Sequence, residues 1–284
     1  MPPTSNPTLR QRRLGAELRK LRERAGLTAT AAAARLGVNQ ARVSMIETGR
    51  TPVSADKLRS MARAYDCQEA SHVDALAAMT GRRTRGWWEE YRDHLPATLV
   101  DVAELEHHAV ALRVALVIHI PALLQTTDHA RALFRAVVPP MRQYEIEHRL
   151  TYRIKRQGIM HRDSPPPYTA IIHETALRMG FGGPAVTRGQ LKHLLEMSEL
   201  PHITVRVIPF GAEYFPSTGQ SFDYVVGPSP QLDTVQLDTH HGGCEFLDAE
   251  ALLSKYRAVL DRMETCALST AESRDLIHDL VRDT

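Results

Sequence analysis

Cysteines and long apolar runs are scarce in this sequence. Its three cysteines, Cys67, Cys244 and Cys266, are odd in number and have no CxxC spacing, which argues against a disulfide framework and fits a reducing compartment. No stretch reaches the roughly 18 uncharged apolar residues that a membrane-spanning helix needs. Residues 1–7 lack the basic start and apolar core of a secretory signal. The expected location is therefore the cytoplasm.

Motifs for catalysis are also missing. The pair His173–Glu174 begins an HExxH pattern, but position 177 is a leucine, so the zinc-protease motif fails. Ser217, Asp238 and His240 could be assembled into a triad, yet no GxSxG turn presents any serine. We therefore expect no enzyme and no catalytic residues. A catalytic C-terminal domain is kept as the weakest alternative.

Histidine-rich segments are the nearest approach to a metal site. Residues 240–244 read HHGGC, and His107–His108 is a second pair. A zinc site needs four ligands at workable spacing, whereas neighbouring histidines on a strand point to opposite faces. The two glycines are typical of a hairpin turn. The sequence therefore predicts no metal site and no cofactor.

Charge, by contrast, is abundant and unevenly distributed. Residues 1–86 hold 16 basic and 7 acidic residues, a net charge of +9. The remainder holds 19 basic and 26 acidic residues, a net charge of −7, so the overall value of +2 conceals the division. A basic block on a mildly acidic remainder is expected when only one domain contacts phosphates.

Apolar residues recur at helical spacing throughout the basic block, residues 1–86. Leu14, Leu18 and Leu21 lie on one helix face, and Thr28 and Asn39 are typical N-caps. Five helices are predicted, at residues 8–25, 29–36, 40–48, 55–65 and 69–79. Five short helices in about 70 residues indicate a compact helical bundle.

Beyond a short glycine-flanked linker, residues 81–86, the pattern becomes mixed. Alternating apolar residues predict a strand over 110–120. Further strands are predicted at 168–173, 203–208, 222–226, 234–237 and 244–247. Helices are predicted at 123–138, 142–159, 187–199 with Thr187 as its cap, 248–266 and 270–282. The predicted fold class is α+β: an N-terminal five-helix bundle followed by a mixed α/β domain over residues 87–284.

The segment over residues 29–48 fits a helix-turn-helix in several independent ways. Ala33 is small where two helices would cross, and Gly37 suits the positive φ of the turn. The apolar positions that would face a common core are Leu36, Val38, Val43 and Ile46. The positions that would point outward are Gln40, Ala41, Ser44 and Met45, none of them acidic.

This block resembles the Cro/phage-repressor (XRE) family from about Leu14 to Tyr65, including the tail IETGR at residues 46–50. In that family the second helix of the motif lies in the major groove. The resemblance implies that Gln40 reads adenine bidentately. It places Ala41, Ser44 and Met45 at the other base-contacting positions, with Met45 suited to a thymine methyl group.

The same resemblance implies phosphate contacts by Asn39, Arg42 and Arg50. Arg22 and Glu47 match a pair that forms a partly buried salt bridge in relatives. One position departs from the family pattern, because Ala29 stands where relatives often carry a phosphate-binding glutamine. The two arginines must then supply more of the anchoring, or the affinity is modest.

The rest of the chain resembles a sensor-like domain common in actinobacterial, Streptomyces-type, antitoxin-like regulators. The matching segments are WWEEY at 87–91, IPALLQT at 120–126, QLKHLLE at 190–196, VIPF at 207–210 and ALSTAESRDLI at 267–277. Relatives usually carry glycine where Ala122 stands, which places any role of a flexible turn there in doubt. The resemblance implies a C-terminal input domain, often encoded beside a small partner protein.

These patterns predict a one-component transcription regulator. We expect residues 1–80 to bind a palindromic operator in double-stranded DNA as a homodimer, with residues 87–284 supplying dimerisation and a small-molecule or protein input. Bound to DNA, the protein would be nucleoid-associated. The alternative is an antitoxin-type protein that sequesters a small co-encoded partner and binds DNA for autoregulation. No sequence pattern identifies a ligand-binding residue.

Overall fold

The computed structural model describes residues 6–80, 86–239 and 242–284. The predicted linker therefore lies outside the described residues except for Gly86, as do His240 and His241. Within the described ranges the fold is α+β, as predicted: a helical N-terminal region precedes a mixed sheet flanked by helices.

The N-terminal region consists of five helices at nearly the predicted positions. They are α1 (Leu9–Arg24), α2 (Ala29–Leu36), α3 (Gln40–Glu47), α4 (Ala55–Ala64) and α5 (Ala70–Ala78). Leu18, Leu58, Met61 and Leu76 are fully buried at their common core. Helical periodicity located these elements because each helix buries a single apolar face.

The C-terminal region alternates helices and strands. Its helices are α6 (Ala97–His107), α7 (Thr127–Arg135), α8 (Gln143–Gln157), α9 (Glu174–Arg178), α10 (Pro184–Met197), α11 (Glu250–Cys266) and α12 (Thr270–Asp283). Its strands are β1 (Ala111–Leu116), β2 (Tyr168–His173), β3 (Ile203–Ile208), β4 (Phe222–Val226), β5 (Thr234–Asp238) and β6 (Cys244–Leu247). Short 3₁₀ helices span Trp87–Tyr91 and Ala122–Leu124.

The strands form one sheet in the order β3-β2-β1-β4-β5-β6 across the described residues. β1, β2 and β3 pair in parallel, whereas β4, β5 and β6 add to β1 in antiparallel fashion. One face packs Leu112, Val114, Ala170 and their neighbours against α10 and α12. The other face packs Phe222, Val235 and Leu237 against α11. The sheet therefore has helices on both faces.

Several predicted element bounds were wrong. The strand predicted over 110–120 ends at Leu116, and the helix predicted over 123–138 is a 3₁₀ turn followed by α7, which Thr126 caps. α10 begins at Pro184 rather than after Thr187, whose hydroxyl donates to the Gly183 carbonyl within the first turn. Proline is favoured at the first helical position because its missing N–H has no partner there.

The 3₁₀ helix at Trp87–Tyr91 and helix α6 were missed by sequence reasoning. Trp88 is 2% exposed and packs with Tyr91, Leu95, Val100 and Tyr152. Its ring lies 2.3 Å from the position that a Cβ on Gly86 would occupy. The tryptophan therefore anchors the start of the C-terminal region, and glycine at position 86 permits its close approach.

The N-terminal and C-terminal regions pack directly against each other. Asp101 of α6 is 3% exposed and accepts hydrogen bonds from the Leu9 N–H at 3.0 Å and the Arg12 guanidinium at 3.1 Å. A carboxylate at the first turn of α1 also complements the helix dipole. Leu232, from the turn before β5, is part of the N-terminal apolar core. The two regions therefore share both a hydrogen-bond network and apolar contacts.

None of the helices within the described ranges is both long and apolar enough to cross a lipid bilayer.

Candidate nucleic-acid interface

The turn between α2 and α3 has the local geometry of a helix-turn-helix. The Thr28 hydroxyl accepts a hydrogen bond from the Ala31 N–H and caps α2. Gly37 ends that helix with φ +62° and ψ +34°, a left-handed conformation that is unfavourable for residues with a side chain. Ala33 is buried at the helix crossing, 4% exposed. Each feature follows from the residue types at these positions.

Asn39 starts α3. Its side-chain oxygen accepts a hydrogen bond from the Arg42 N–H at 2.8 Å, which satisfies one of the unpaired donors at the helix start. The asparagine side chain is exposed, and its amide group carries two further donors. Asn39 can therefore cap the helix and still donate to a phosphate.

The outer face of α3 presents polar and apolar side chains to solvent. Gln40, Ala41, Ser44 and Met45 are all exposed, with Met45 retaining 47% of its accessible surface. The opposite face is buried through Val43 and Ile46, at 0% and 5% exposed. These four uncharged residues, which are the predicted base-contacting positions, therefore form a surface on α3. The C-terminal region does not cover this surface.

Arginines flank this surface. Arg42 and Arg50 are exposed, and neither forms an ion pair with any residue in the described ranges. Arg35, by comparison, lies 3.6 Å from the Asp66 carboxylate. Guanidinium groups without an internal partner can pair with phosphate oxygens without first breaking an existing contact.

A buried salt bridge holds α3 against α1. The Arg22 Nε lies 2.6 Å from one Glu47 oxygen, and its Nη2 lies 2.9 Å from the other. The remaining nitrogen, Nη1, donates to the Leu27 carbonyl at 2.6 Å. Hydrogen bonds to Glu47 are the largest cause of the raised pKa of Arg22. All of the guanidinium nitrogens are thus occupied, which orients the end of α3.

Two glycines permit the close packing of α1 on α3, and sequence reasoning missed both. A Cβ on Gly15 would lie 2.5 Å from the Glu47 carbonyl oxygen, and one on Gly49 would lie 2.7 Å from the Gln11 carbonyl oxygen. Both contacts are with backbone, which cannot move aside as a flexible side chain can. Glycine in the interior of a helix is unfavourable. Its presence inside α1 was therefore the one sign in the sequence of a close helix contact at that position.

Further polar contacts fix α1 on the C-terminal region. Arg13 is 6% exposed and donates to the Asp233 carbonyl at 3.2 Å, and it also pairs with Asp248. The buried His72 Nδ1 lies 2.9 Å from the Ser229 hydroxyl. Burial is the first cause of the lowered pKa of His72, ahead of the opposing charge of Glu17. The back of the helix-turn-helix is therefore docked, and its α3 surface faces outward.

The histidines of the other sites considered from sequence, where they are described, make local packing contacts. His173 caps α9 and its ring contacts Thr175 and Phe210. His107 and His108 pack beside Trp88. Among the described residues no group of three or more metal-binding side chains is close enough to hold an ion.

Two family profiles match the chain. One, described as a helix-turn-helix domain, matches residues 13–76 and so spans the exposed α3 surface. This match supports DNA binding and favours a DNA-binding regulator over an enzyme. The other, described as a domain of unknown function, DUF5753, matches residues 99–279. No curated protein and no solved structure shows significant similarity to the chain. The chain carries a helix-turn-helix at its N-terminal end and belongs to the DUF5753 family.

Proposed function

We propose that this protein is a sequence-specific DNA-binding transcription regulator of the Cro/phage-repressor type. The observation that carries the proposal is the exposed face of α3, together with Arg42 on that helix and Arg50 just after it, which have no ion-pair partner among the described residues. An α-helix of this kind fits the major groove of B-form DNA. The basic charge of residues 1–86 supports the same conclusion.

In this proposal each exposed residue has a distinct role. Gln40 reads adenine through its amide group, and Met45 contacts a thymine methyl. Ala41 and Ser44 allow close approach of the helix to the base edges. The phosphate contacts come from Asn39, Arg42 and Arg50. Arg22, Glu47, Ala33 and Gly37 support the recognition surface from within.

The regulator acts as a homodimer on a palindromic operator. One recognition helix of two turns contacts too few base pairs for useful specificity, and two-fold symmetric proteins read half-sites about 34–36 Å apart. We assign DNA binding to residues 1–80, a linker to 81–86, and dimerisation and signal input to 87–284. The docking of α1 through Asp101 and Arg13 supports an input role, because a shift in the C-terminal region would reposition the helix-turn-helix.

Operator selection from a random oligonucleotide pool, followed by gel-shift titration, tests the proposal. We expect Gln40→Ala to lose about 1–3 kcal/mol of discrimination at one base pair, because the bidentate contact disappears. Arg42→Ala is expected to weaken all sequences alike and to lower the salt dependence by about one phosphate contact. Gln143→Ala and Arg282→Ala change exposed residues of the C-terminal region and serve as matched controls. Unchanged affinity in both α3 variants, or no binding to duplex DNA at low salt, would overturn the proposal.

A further inference from the structure

One half of a helix-covered sheet face is polar. The register places Val114 of β1, Asp223 of β4 and Gln236 of β5 side by side, and pairs Asp238 with Cys244 in the next row. On the parallel half of the same face, the corresponding row continues through Ala170 and Val205. A sheet face covered by helices is normally apolar throughout. Polar residues on the antiparallel half therefore indicate something other than core packing.

Helix α8 supplies positive charge above this half of the sheet. Arg156 forms a buried bidentate pair with Glu106 of α6, with 2.8 Å between its Nε and one carboxylate oxygen. Arg153 precedes Arg156 by three residues, about one helical turn, and has no carboxylate partner among the described residues. Asp223, Asp238 and Arg153 act on one another electrostatically, so they share one neighbourhood.

Arg153 has one side of its guanidinium free. Its Nη1 donates to the Gln125 side-chain oxygen, and Gln125 is itself held by hydrogen bonds to Ile120 and Gln157. The Nε is buried without a hydrogen-bond partner, and no described residue accepts from Nη2. Nε and Nη2 together form the planar edge that binds both oxygens of a carboxylate. This edge is preorganised, since Gln125 and the Phe134 ring at 5.2 Å fix the guanidinium.

His129 of α7 is a second polar group without a partner. It is 3% exposed, and neither ring nitrogen has a hydrogen-bond partner among the described residues. A neutral imidazole has one donor and one acceptor, and leaving both unmet when buried is unfavourable. Burial, followed by the nearby His119 and the charge of Arg153, lowers the pKa of His129 to about 4. The ring is therefore neutral at pH 7 and lies close to Arg153.

Asp223 is the third such group. It is half-buried and accepts no hydrogen bond from any residue in the described ranges. Burial raises the pKa of Asp223 to about 8, assisted by the charges of Asp238 and Glu106. At neutral pH it is mostly protonated and can donate as well as accept.

We propose that these groups form a binding site for a small organic carboxylate, which we call the Arg153 site: Arg153, His129, Asp223, Gln236 and Asp238. The carboxylate pairs with the Nε–Nη2 edge of Arg153, and a polar group elsewhere on the ligand bonds to Asp223 and His129. This proposal depends on the proposed function in one respect: the bound ligand would be the input signal of the regulator.

The donor set favours an organic carboxylate over other ligands. A metal ion is disfavoured by the cationic Arg153 at the centre, and the described residues hold no metal-ligand cluster. A phosphate would bring two charges towards one unpaired arginine and the carboxyl groups of Asp223 and Asp238. A single delocalised charge with a hydrogen-bonding group beside it matches the edge of one guanidinium, with His129 and Asp223 as its neutral neighbours.

Isothermal titration calorimetry on the full chain, in the absence of DNA, tests the site. The probes are acetate, glycine, glutamate and benzoate, with chloride and inorganic phosphate at equal ionic strength. We expect saturable binding of at least one carboxylate, with phosphate at least tenfold weaker. Arg153→Lys is expected to weaken that binding at least tenfold, because lysine has the charge but no planar edge. Arg142→Lys, at the exposed start of α8, is the matched control and should bind as the wild type does.

An NMR measurement on the wild-type chain covers the case in which Arg153→Lys does not fold. Arginine Nε–H resonances are followed while the binding probe is added. The Arg153 resonance is expected to shift with saturation, whereas those of Arg22 and Arg156, already paired with glutamates, should stay in place. The proposal is overturned if no carboxylate binds better than chloride, if phosphate binds equally well, or if the Arg153 resonance does not respond. None of these readouts uses DNA, so they fail or succeed independently of operator binding.

Discussion

The N-terminal helices and the C-terminal sheet place their unsatisfied polar groups in opposite environments. On α3, Gln40, Arg42 and Ser44 lie on the outside, where water satisfies them; in the function proposed above, DNA replaces that water. Around α8, Arg153 and His129 have buried nitrogens without partners. An exposed polar surface is stable by itself, whereas an interior one is unfavourable unless something occupies it. The unpartnered groups of the helical region are therefore placed to meet an external partner, and those of the sheet region to meet an enclosed one, as proposed above.

In both regions a buried arginine–glutamate salt bridge orients the helix that carries the unpartnered polar side chains. Arg22 pairs with Glu47 between α1 and α3, and Arg156 pairs with Glu106 between α8 and α6. All four side chains are less than 10% exposed. Each pair joins two helices. The first pair positions α3, which carries the exposed Arg42, and the second positions α8, which carries the unpaired Arg153.

Removing the glutamate of either pair is expected to have the largest effect. Glu47→Ala and Glu106→Ala each leave a buried guanidinium without its carboxylate, which costs about 3–5 kcal/mol in the free energy of unfolding. Urea denaturation followed by circular dichroism measures it. Glu23→Ala removes a half-exposed carboxylate near Arg19 and Arg22 and should destabilise the protein far less, because surface ion pairs contribute little. An equal loss in the free energy of unfolding for all three variants would contradict the expected difference between buried and surface salt bridges.

Gly15→Ala tests whether the α1–α3 contact is as tight as the backbone distances indicate. The added Cβ would lie 2.5 Å from the Glu47 carbonyl oxygen, and overpacking of this kind costs about 1–3 kcal/mol. Gly189→Ala in α10 is the matched control, since no atom lies within 4 Å of its added Cβ. That change should stabilise the protein by about 0.5–1 kcal/mol, as alanine is the better helix former. A neutral Gly15→Ala would mean that α3 is free to shift on α1.

Asn39→Ala and Gln40→Ala compare a capping residue with an external residue on the outer surface of α3. Loss of the hydrogen bond from the Arg42 N–H is expected to cost about 1 kcal/mol of stability. Gln40→Ala removes no internal hydrogen bond among the described residues and should leave the thermal midpoint within about 1 °C of the wild type, since surface changes of this kind are nearly neutral. Differential scanning calorimetry compares the two variants. A large thermal change in Gln40→Ala would contradict its assignment as a purely external residue.

Asp223→Asn is expected to change stability by an amount that depends on pH. Burial raises the folded-state pKa of Asp223 to about 8, above the roughly 3.9 of an unfolded chain. Between these values the folded state binds more protons, so the contribution of this residue to stability falls as pH rises from about 4 to about 8. Asparagine has no such dependence. The melting temperature of the variant relative to wild type should therefore rise from pH 5 to pH 8, and a constant difference would show that Asp223 is already ionised.

The helical region could be predicted well because its determinants are local. Thr28 and Asn39 cap the helices that follow them, and Gly37 adopts the left-handed turn conformation that its position required. The α3 face was visible from the spacing of Val43 and Ile46 alone. Errors arose where one short element ends and another begins, as at Leu116 and Pro184. At such boundaries periodicity has too few residues to discriminate.

Local sequence therefore determined the five N-terminal helices, the outward face of α3, most of the strands and the α+β class. Tertiary structure alone decided which distant side chains meet. Arg153, His129 and Asp223 lie on three elements, and their proximity depends on strand register and on how α7 and α8 cross the sheet. Helix periodicity and capping act over a few residues, whereas a site between elements depends on packing across the whole domain, which no short pattern encodes.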